Sequence, residues 1–228
     1  MRVLFLTDIH NNITSIEKLP LGDIDILLIG GDFTLRGGKQ EIEAIVKEFK
    51  KNFDGKILSI IGNMDKREGL EVLNKYSVSI ECSGVQIGDI GFFGCGGSEK
   101  TPFDTPNEKD SNEIYDCLVN GYKSIEKAKI KVMICHNPPF GTTCDKAIDK
   151  HVGSKKVREF IEKYSPDFCL TGHIHEGIGQ DLIGKTKLIN PGPFKDNRFA
   201  VIDISKGIIN LNMLWFFYLF IIILLRIL

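Results

Sequence analysis

The sequence predicts an α/β domain of four layers: a four-layer αββα sandwich of two mixed sheets packed face to face and flanked by helices. Three observations lead there. Short apolar runs alternate along the chain with stretches of helical period. The interior runs, such as 26–29 and 132–135, are continuously apolar, as strands covered on both faces are. Further strand-like runs in 78–93 and 187–211 exceed what one sheet between two helical layers needs.

Taken in order, residues 3–7 and 24–29 read as the first two strands, and 12–19 between them as a short helix. After Gly37 and Gly38, Ile42, Ile45, Val46 and Phe49 fall at i, i+3, i+4 and i+7, one face of an amphipathic helix that Gly55 closes. Residues 57–61 are the third strand and 67–76 a short helix. The stretch 78–93 reads as short strands, with turns at Gly84, Gly88 and Gly91. Residues 101–112 are polar, hold two prolines, and read as a loop. Ile114, Cys117, Leu118 and Ile125 mark a helix, 132–135 a strand, and 157–164 a helix ended by Pro166. Residues 168–171, 187–189, 199–204 and 208–211 complete the strands, with Asn190-Pro191-Gly192-Pro193 as a turn.

The 228 residues suffice for one full core, and the near-zero net charge of -1 supplies no basic field for long nucleic acid. None of the six cysteines forms a C-x-x-C pair. Cys135 and Cys169 sit in apolar runs, which fits reduced thiols in a cytoplasmic domain better than a disulfide framework.

The chemistry is concentrated at strand ends. Asp8-Ile9-His10 follows the first strand, Gly31-Asp32 the second and Gly62-Asn63-Met64-Asp65 the third. His136 follows 132–135, and Gly172-His173-Ile174-His175 follows 168–171. Open α/β sheets bind ligands beyond the carboxyl ends of their strands, so seven donor side chains reach one rim. If the backbone there is extended, residues at i and i+2 face the same cavity. Two Asp, four His and one Asn offer oxygen and nitrogen donors without thiolate, a set suited to Mn²⁺, Fe or Zn²⁺ and too large for one tetrahedral ion.

The series D-x-H, G-D, G-N-x-[DE], an isolated H and G-H-x-H resembles that of the calcineurin-like metallophosphoesterases over about residues 1–204. Size and the Asn190-Pro191-Gly192 turn are most similar to the compact prokaryotic phosphodiesterases. The resemblance implies a metallo-dependent phosphatase-like fold with two divalent metal ions (Mn, Fe, Zn or Ni). One would take Asp8, His10, Asp32 and His175, the other Asp32, Asn63, His136 and His173, with Asp32 shared. It also implies in-line attack of a bridging hydroxide on a phosphodiester or activated phosphomonoester, with Asp32, Asn63 and His136 as catalytic residues. Asn63 and Asn11 are candidate substrate contacts, Asn11 being equally readable as a turn residue. Asp65 is expected to orient a ligand histidine, and Cys135 to pack in the core.

One position departs from the pattern. Many such proteins place His after the Asn of G-N-x-[DE], where it protonates the leaving group; here it is Met64. A thioether carries no proton, so preference for diesters or good leaving groups follows. His151 is the spare histidine, a candidate replacement acid or simply an exposed residue. Two other functions remain open: a non-catalytic interaction protein on the same fold, as a retromer subunit is, and a nuclease.

The domain is expected to span 1–211, followed by a hydrophobic tail, 212–228. Residues 213–225 contain no charge. A helix over 208–228 would be long enough to anchor the domain in a membrane, with Trp215, Tyr218 and Arg226 at the interfaces. Burial against the domain or a sister subunit, giving a homo-oligomer, is the alternative reading, as is an end without a role in the fold.

Overall fold

The computed structural model describes residues 1–214. The first sheet is built from β1 (Arg2–Leu6), β2 (Ile26–Ile29), β3 (Lys56–Ser59), β12 (Arg198–Asp203) and β13 (Ile208–Met213), in the order β13-β12-β1-β2-β3. The second contains β4 (Gly84–Ile87), β5 (Ile90–Cys95), β6 (Ile130–Cys135), β9 (Phe168–Leu170), β10 (Gly179–Ile183) and β11 (Thr186–Asn190), in the order β10-β11-β9-β6-β5-β4. A small hairpin, β7 (Lys146–Ala147) and β8 (Lys150–His151), stands apart. The helices are α1 (Lys39–Asn52), α2 (Gly69–Lys75), α3 (Ser111–Ser124) and α4 (Lys155–Tyr164).

Alternation along β1 shows how the layers form. Val3 and Phe5 face the second sheet, where they meet Phe92, Val132, Ile134 and Leu170. Leu4 and Leu6 face the other way, onto Ile42, Ile45, Val46 and Phe49 of α1. On the far side of the second sheet, Phe93 and Met133 pack against Ile114 and Leu118 of α3 and Phe160 of α4. The order helix, sheet, sheet, helix is the expected four-layer sandwich. Asp110 caps α3 through the Asn112 amide, and Ser154 caps α4 through the Val157 amide.

Several elements differ from expectation. Residues 12–19 form only a one-turn 3-10 segment, Ile16–Lys18, and the Asn12 side chain donates to the carbonyls of Phe194 and Lys195, tying this stretch to the far end of the chain. Gly84 and Gly91 lie inside strands, each against Ile125, and the turn is left to Gly88, with φ of 58°. The strand β10 and the β7–β8 hairpin carry no apolar run that would signal them. Cys82 and Cys117 form a disulfide, contrary to the reduced-thiol reading: the turn after Ile80 brings the two Cα atoms to 4.3 Å across 35 residues. The other four cysteines, Cys95, Cys135, Cys144 and Cys169, are free and buried.

Ile208–Met213 is a strand paired in register with β12, so no helix begins at Ile208. Backbone pairing continues to Leu214, whose N–H donates to the Asn197 carbonyl (2.8 Å). Among the described residues no helix is long and apolar enough to cross a membrane. The rest of the expected tail, 215–228, lies outside the described residues.

Candidate metal centre

All seven expected donors converge where the two sheets meet. The first sheet supplies Asp8, His10, Asp32 and Asn63 beyond β1, β2 and β3, and the second supplies His136, His173 and His175 beyond β6 and β9. The loops do not run extended. Asp8, His10, Asp32 and His173 have φ of 55°, 45°, 52° and 67°, the left-handed region that L side chains avoid. Tight turns, not the two-residue pleat, aim these side chains at one point. Four of the seven donors carry this backbone strain.

The motif glycines make the convergence possible. A Cβ on Gly62 would run into the Asp32 carboxylate, and one on Gly172 into Asp8 and Thr7. Gly31 has φ of 96° and lies against the Gly62 backbone.

Two clusters share Asp32. In the first, His10 Nε2 and His175 Nε2 are 3.2 Å apart, and Asp8 Oδ1 lies 3.4 Å from His175 Nε2. Asp32 Oδ2 is 3.8 Å from His10 Nε2. In the second, Asn63 Oδ1 is 2.9 Å from His136 Nε2 and 2.8 Å from His173 Nδ1, while Asp32 Oδ1 is 3.5 Å from His136 Nε2. One oxygen of Asp32 thus faces each cluster.

The donor chemistry fits cations. His136 Nδ1 lies 2.8 Å from the Gly30 carbonyl and His10 Nδ1 lies 3.2 Å from the Thr34 carbonyl, so each Nδ1 carries the proton. Each Nε2 then points a lone pair into its cluster, toward oxygen and nitrogen atoms that are themselves acceptors. Such a set is balanced by positive charge. A proton on His136 Nε2 can supply that charge in place of a cation: burial opposes it, but Asp32 and Asp8 outweigh burial and raise the imidazole to about 9. Burial likewise opposes charge on Asp8, yet the His175 contact and the surrounding histidines hold its carboxyl well below the usual range. His173 is pushed down to about 4 by burial and then by His136.

Asp65 plays a different part from the one expected. It touches no histidine. Its buried carboxylate accepts from the amides of Gly62, Phe33 and Thr34 and from the Thr34 hydroxyl, tying the Asp32 and Asn63 loops together. Burial and then Asp32 push it up to about 6.

Above the cluster lies a cleft of about 750 Å³, reached by His10, Asp32, Asn63, Met64, His173 and His175. Arg36, Lys100 and Lys195 also line it; no sequence motif signalled them. Asn11 is exposed and is not among the lining residues. His151 turns instead to Asp145, with Nδ1 2.7 Å from Oδ1, and is not among the lining residues. Cys135 is fully buried in the core, as expected.

The family model for calcineurin-like phosphoesterases matches residues 1–177. The chain belongs to the calcineurin-like phosphoesterase family. It is a metal-dependent phosphoester hydrolase by that membership. The chain is 35% identical over 217 residues to protein MJ1162 of Methanocaldococcus jannaschii, covering 93% of this chain and 96% of that one. Among solved structures, TT1561 of Thermus thermophilus superposes with a TM-score of 0.74 at 14% identity, covering 93% and 98% of the two chains. A structure described as a novel archaeal phosphodiesterase gives 0.56 at 17% identity, covering 94% and 100%. The two structures share the fold of this chain.

Proposed function

We propose that this calcineurin-like phosphoesterase holds two divalent cations and hydrolyses phosphodiesters, or phosphomonoesters with good leaving groups. The observation that carries the reading is the division of Asp32: Oδ2 faces the Asp8–His10–His175 cluster and Oδ1 the Asn63–His136–His173 cluster. Asp32 is the shared ligand. When bound, two such cations would acidify a water and hold the charge that builds on the phosphoryl oxygens.

The chain's own residues have distinct tasks. Gly30 and Thr34 carbonyls fix the tautomers of His136 and His10, keeping both lone pairs aimed inward. The Met64 amide donates to Asp32 Oδ1 (2.7 Å) and fixes the carboxylate plane. Asn63 presents its carbonyl to the second cluster, which leaves its NH₂ as a donor for a phosphoryl oxygen. Arg36, Lys100 and Lys195 supply positive charge along the cleft.

Met64 lines the cleft where a proton donor would serve, and His151 does not replace it. The leaving group must therefore depart with little help, which favours aryl esters over alkyl monoesters. The test is turnover of an aryl phosphodiester and an alkyl phosphomonoester by purified protein loaded in turn with Mn, Fe, Zn and Ni. Metal-activated hydrolysis of the diester, with the monoester far slower, is expected. No metal-activated hydrolysis would refute the enzyme reading, and a faster alkyl monoester would refute the preference.

A further inference from the structure

Six large apolar side chains stand exposed among the described residues, and four of them surround the cleft: Ile148 (87%), Phe103 (73%), Leu35 (58%) and Val152 (47%). Leu35, Phe103 and Val152 line it directly. Ile148 is at the tip of the β7–β8 hairpin, next to Ala147, which lines the cleft too.

Two of these residues are held out rather than left out. Ile148 has φ of 56°, a conformation that β-branched residues avoid and that glycine or asparagine would relieve. Phe103 crowns a loop that is fixed from within. Glu108 Oε1 accepts from the amides of Thr101 and Thr105 (3.1 and 2.9 Å) and from both their hydroxyls (2.7 and 3.0 Å). The Arg36 guanidinium donates to the Phe103 carbonyl (2.6 Å). A strained tip and a braced ring, both apolar and both facing water, indicate a surface built to meet an apolar partner.

Strand direction says which partner. β12 is antiparallel to β1 and also to β13, so β13 runs the same way as β1 and ends at the rim that carries the donors. Its last bond is Leu214 to the carbonyl of Asn197, two residues beyond Lys195 of the cleft. The last described residue, Leu214, is therefore at this same rim, and the sequence from 213 to 225 carries no charge.

We propose that this rim docks on a lipid bilayer surface, with Ile148 and Phe103 entering the acyl region and the cleft opening toward the headgroups. Charges around the tips nearly balance: Arg36, Lys100, Lys146, Lys150 and Lys195 stand against Glu99, Asp104, Asp149 and Glu176. Binding is thus driven by apolar insertion and persists in salt. The substrate is then a phosphoester presented at that surface; this consequence rests on the phosphoesterase reading, whereas docking does not.

The experiment is sedimentation of the full chain with phosphatidylcholine–phosphatidylglycerol vesicles, free of divalent metal, at low and high salt. Wild type, Ile148→Asn and Phe103→Ser are compared. Wild type binds at both salt levels, and each variant lowers the partition coefficient by about 10-fold, the effect of removing one large apolar side chain from the lipid. Ile148→Asn keeps the wild-type turnover of a water-soluble aryl phosphodiester. Wild type that stays in the supernatant, variants that bind as wild type does, or binding abolished by salt would each overturn docking. So would a dimer in buffer that Ile148→Asn disperses, which would assign the rim to a second copy. An inactive protein that still binds vesicles through Ile148 would instead count against the hydrolase reading alone.

Discussion

Asp65 Oδ1 accepts both the amide and the hydroxyl of Thr34, each at 2.9 Å, and so binds the turn after Asp32 to the turn that holds Asn63. The second oxygen takes the amides of Gly62 and Phe33. Asp65→Asn would set an NH₂ group against amides that can only donate. We expect a loss of about 3 kcal/mol, the cost of unsatisfied buried donors, read as a fall of roughly 8 °C in thermal midpoint. An unchanged midpoint would show that the two loops do not depend on this carboxylate.

Asp32→Asn should leave one cluster without its shared oxygen anion. We expect bound metal to fall below the wild-type stoichiometry and diester turnover to drop by at least ~10²-fold. Metal analysis and single-substrate kinetics on the same preparation check this. Full activity in the variant would remove Asp32 from its bridging role.

Met64→His restores a proton donor on the cleft wall while keeping the backbone N–H that holds Asp32. Alkyl esters should gain up to ~10²-fold relative to aryl esters, since only the poor leaving group needs protonation. The ratio of the two kcat/KM values is the readout, and a ratio equal to that of wild type would argue against a missing acid.

Glu108 has its carboxyl lowered to about 2, with the Thr105 and Thr101 hydrogen bonds as the leading cause. A folded value below the ordinary one of 4.5 means that its stabilisation is full above 4.5 and is lost as pH falls toward 2. Wild type should protect the Thr101 and Thr105 amides from exchange better than Glu108→Gln does at about pH 6, and the difference should shrink on acidification below 4.5. A difference independent of pH would mean that the charge is not what fixes the Phe103 loop.

The Cys82–Cys117 disulfide closes a loop with a sequence separation of 35. Chain-entropy arguments give it up to about 4 kcal/mol. Cys82→Ser, whose position is exposed, should unfold at lower temperature than the oxidised wild type and match the reduced wild type. Equal midpoints for oxidised and reduced protein would remove the bond from the account of stability.

The donor set was legible because each member follows an apolar run, and three of them carry a glycine of their own. Why Gly31, Gly62 and Gly172 stand beside Asp32, Asn63 and His173 is a matter of space between distant loops, which only the folded positions reveal. The left-handed turns at Asp8 and His10 were not legible, since neither residue type demands them. Nor were Arg36, Lys195 and Phe103, whose place at the cleft depends on loops brought together from distant chain segments. The short 3-10 turn at Ile16–Lys18 shows the same limit: the stretch expected as a helix is fastened through the Asn12 side chain to Phe194 and Lys195, from the far end of the chain. The motif assigns Asp65 to a histidine because its wiring to Thr34 crosses between two motifs and leaves no local trace.

The two sheets contribute four and three of the seven donors, and they are linked by the stretch 78–83, which bridges Ser59 of β3 through Ser79 and Gly94 of β5 through Glu81. The rest of their register is kept by the apolar seam of Phe5, Leu28, Phe92 and Ile134 between the two layers. Hydrolysis by this protein is therefore a gauge of how well one layer sits on the other. A methyl group lost from that seam, on a side chain that is no ligand itself, should be felt first as a detuned reaction and only later as an unfolded chain.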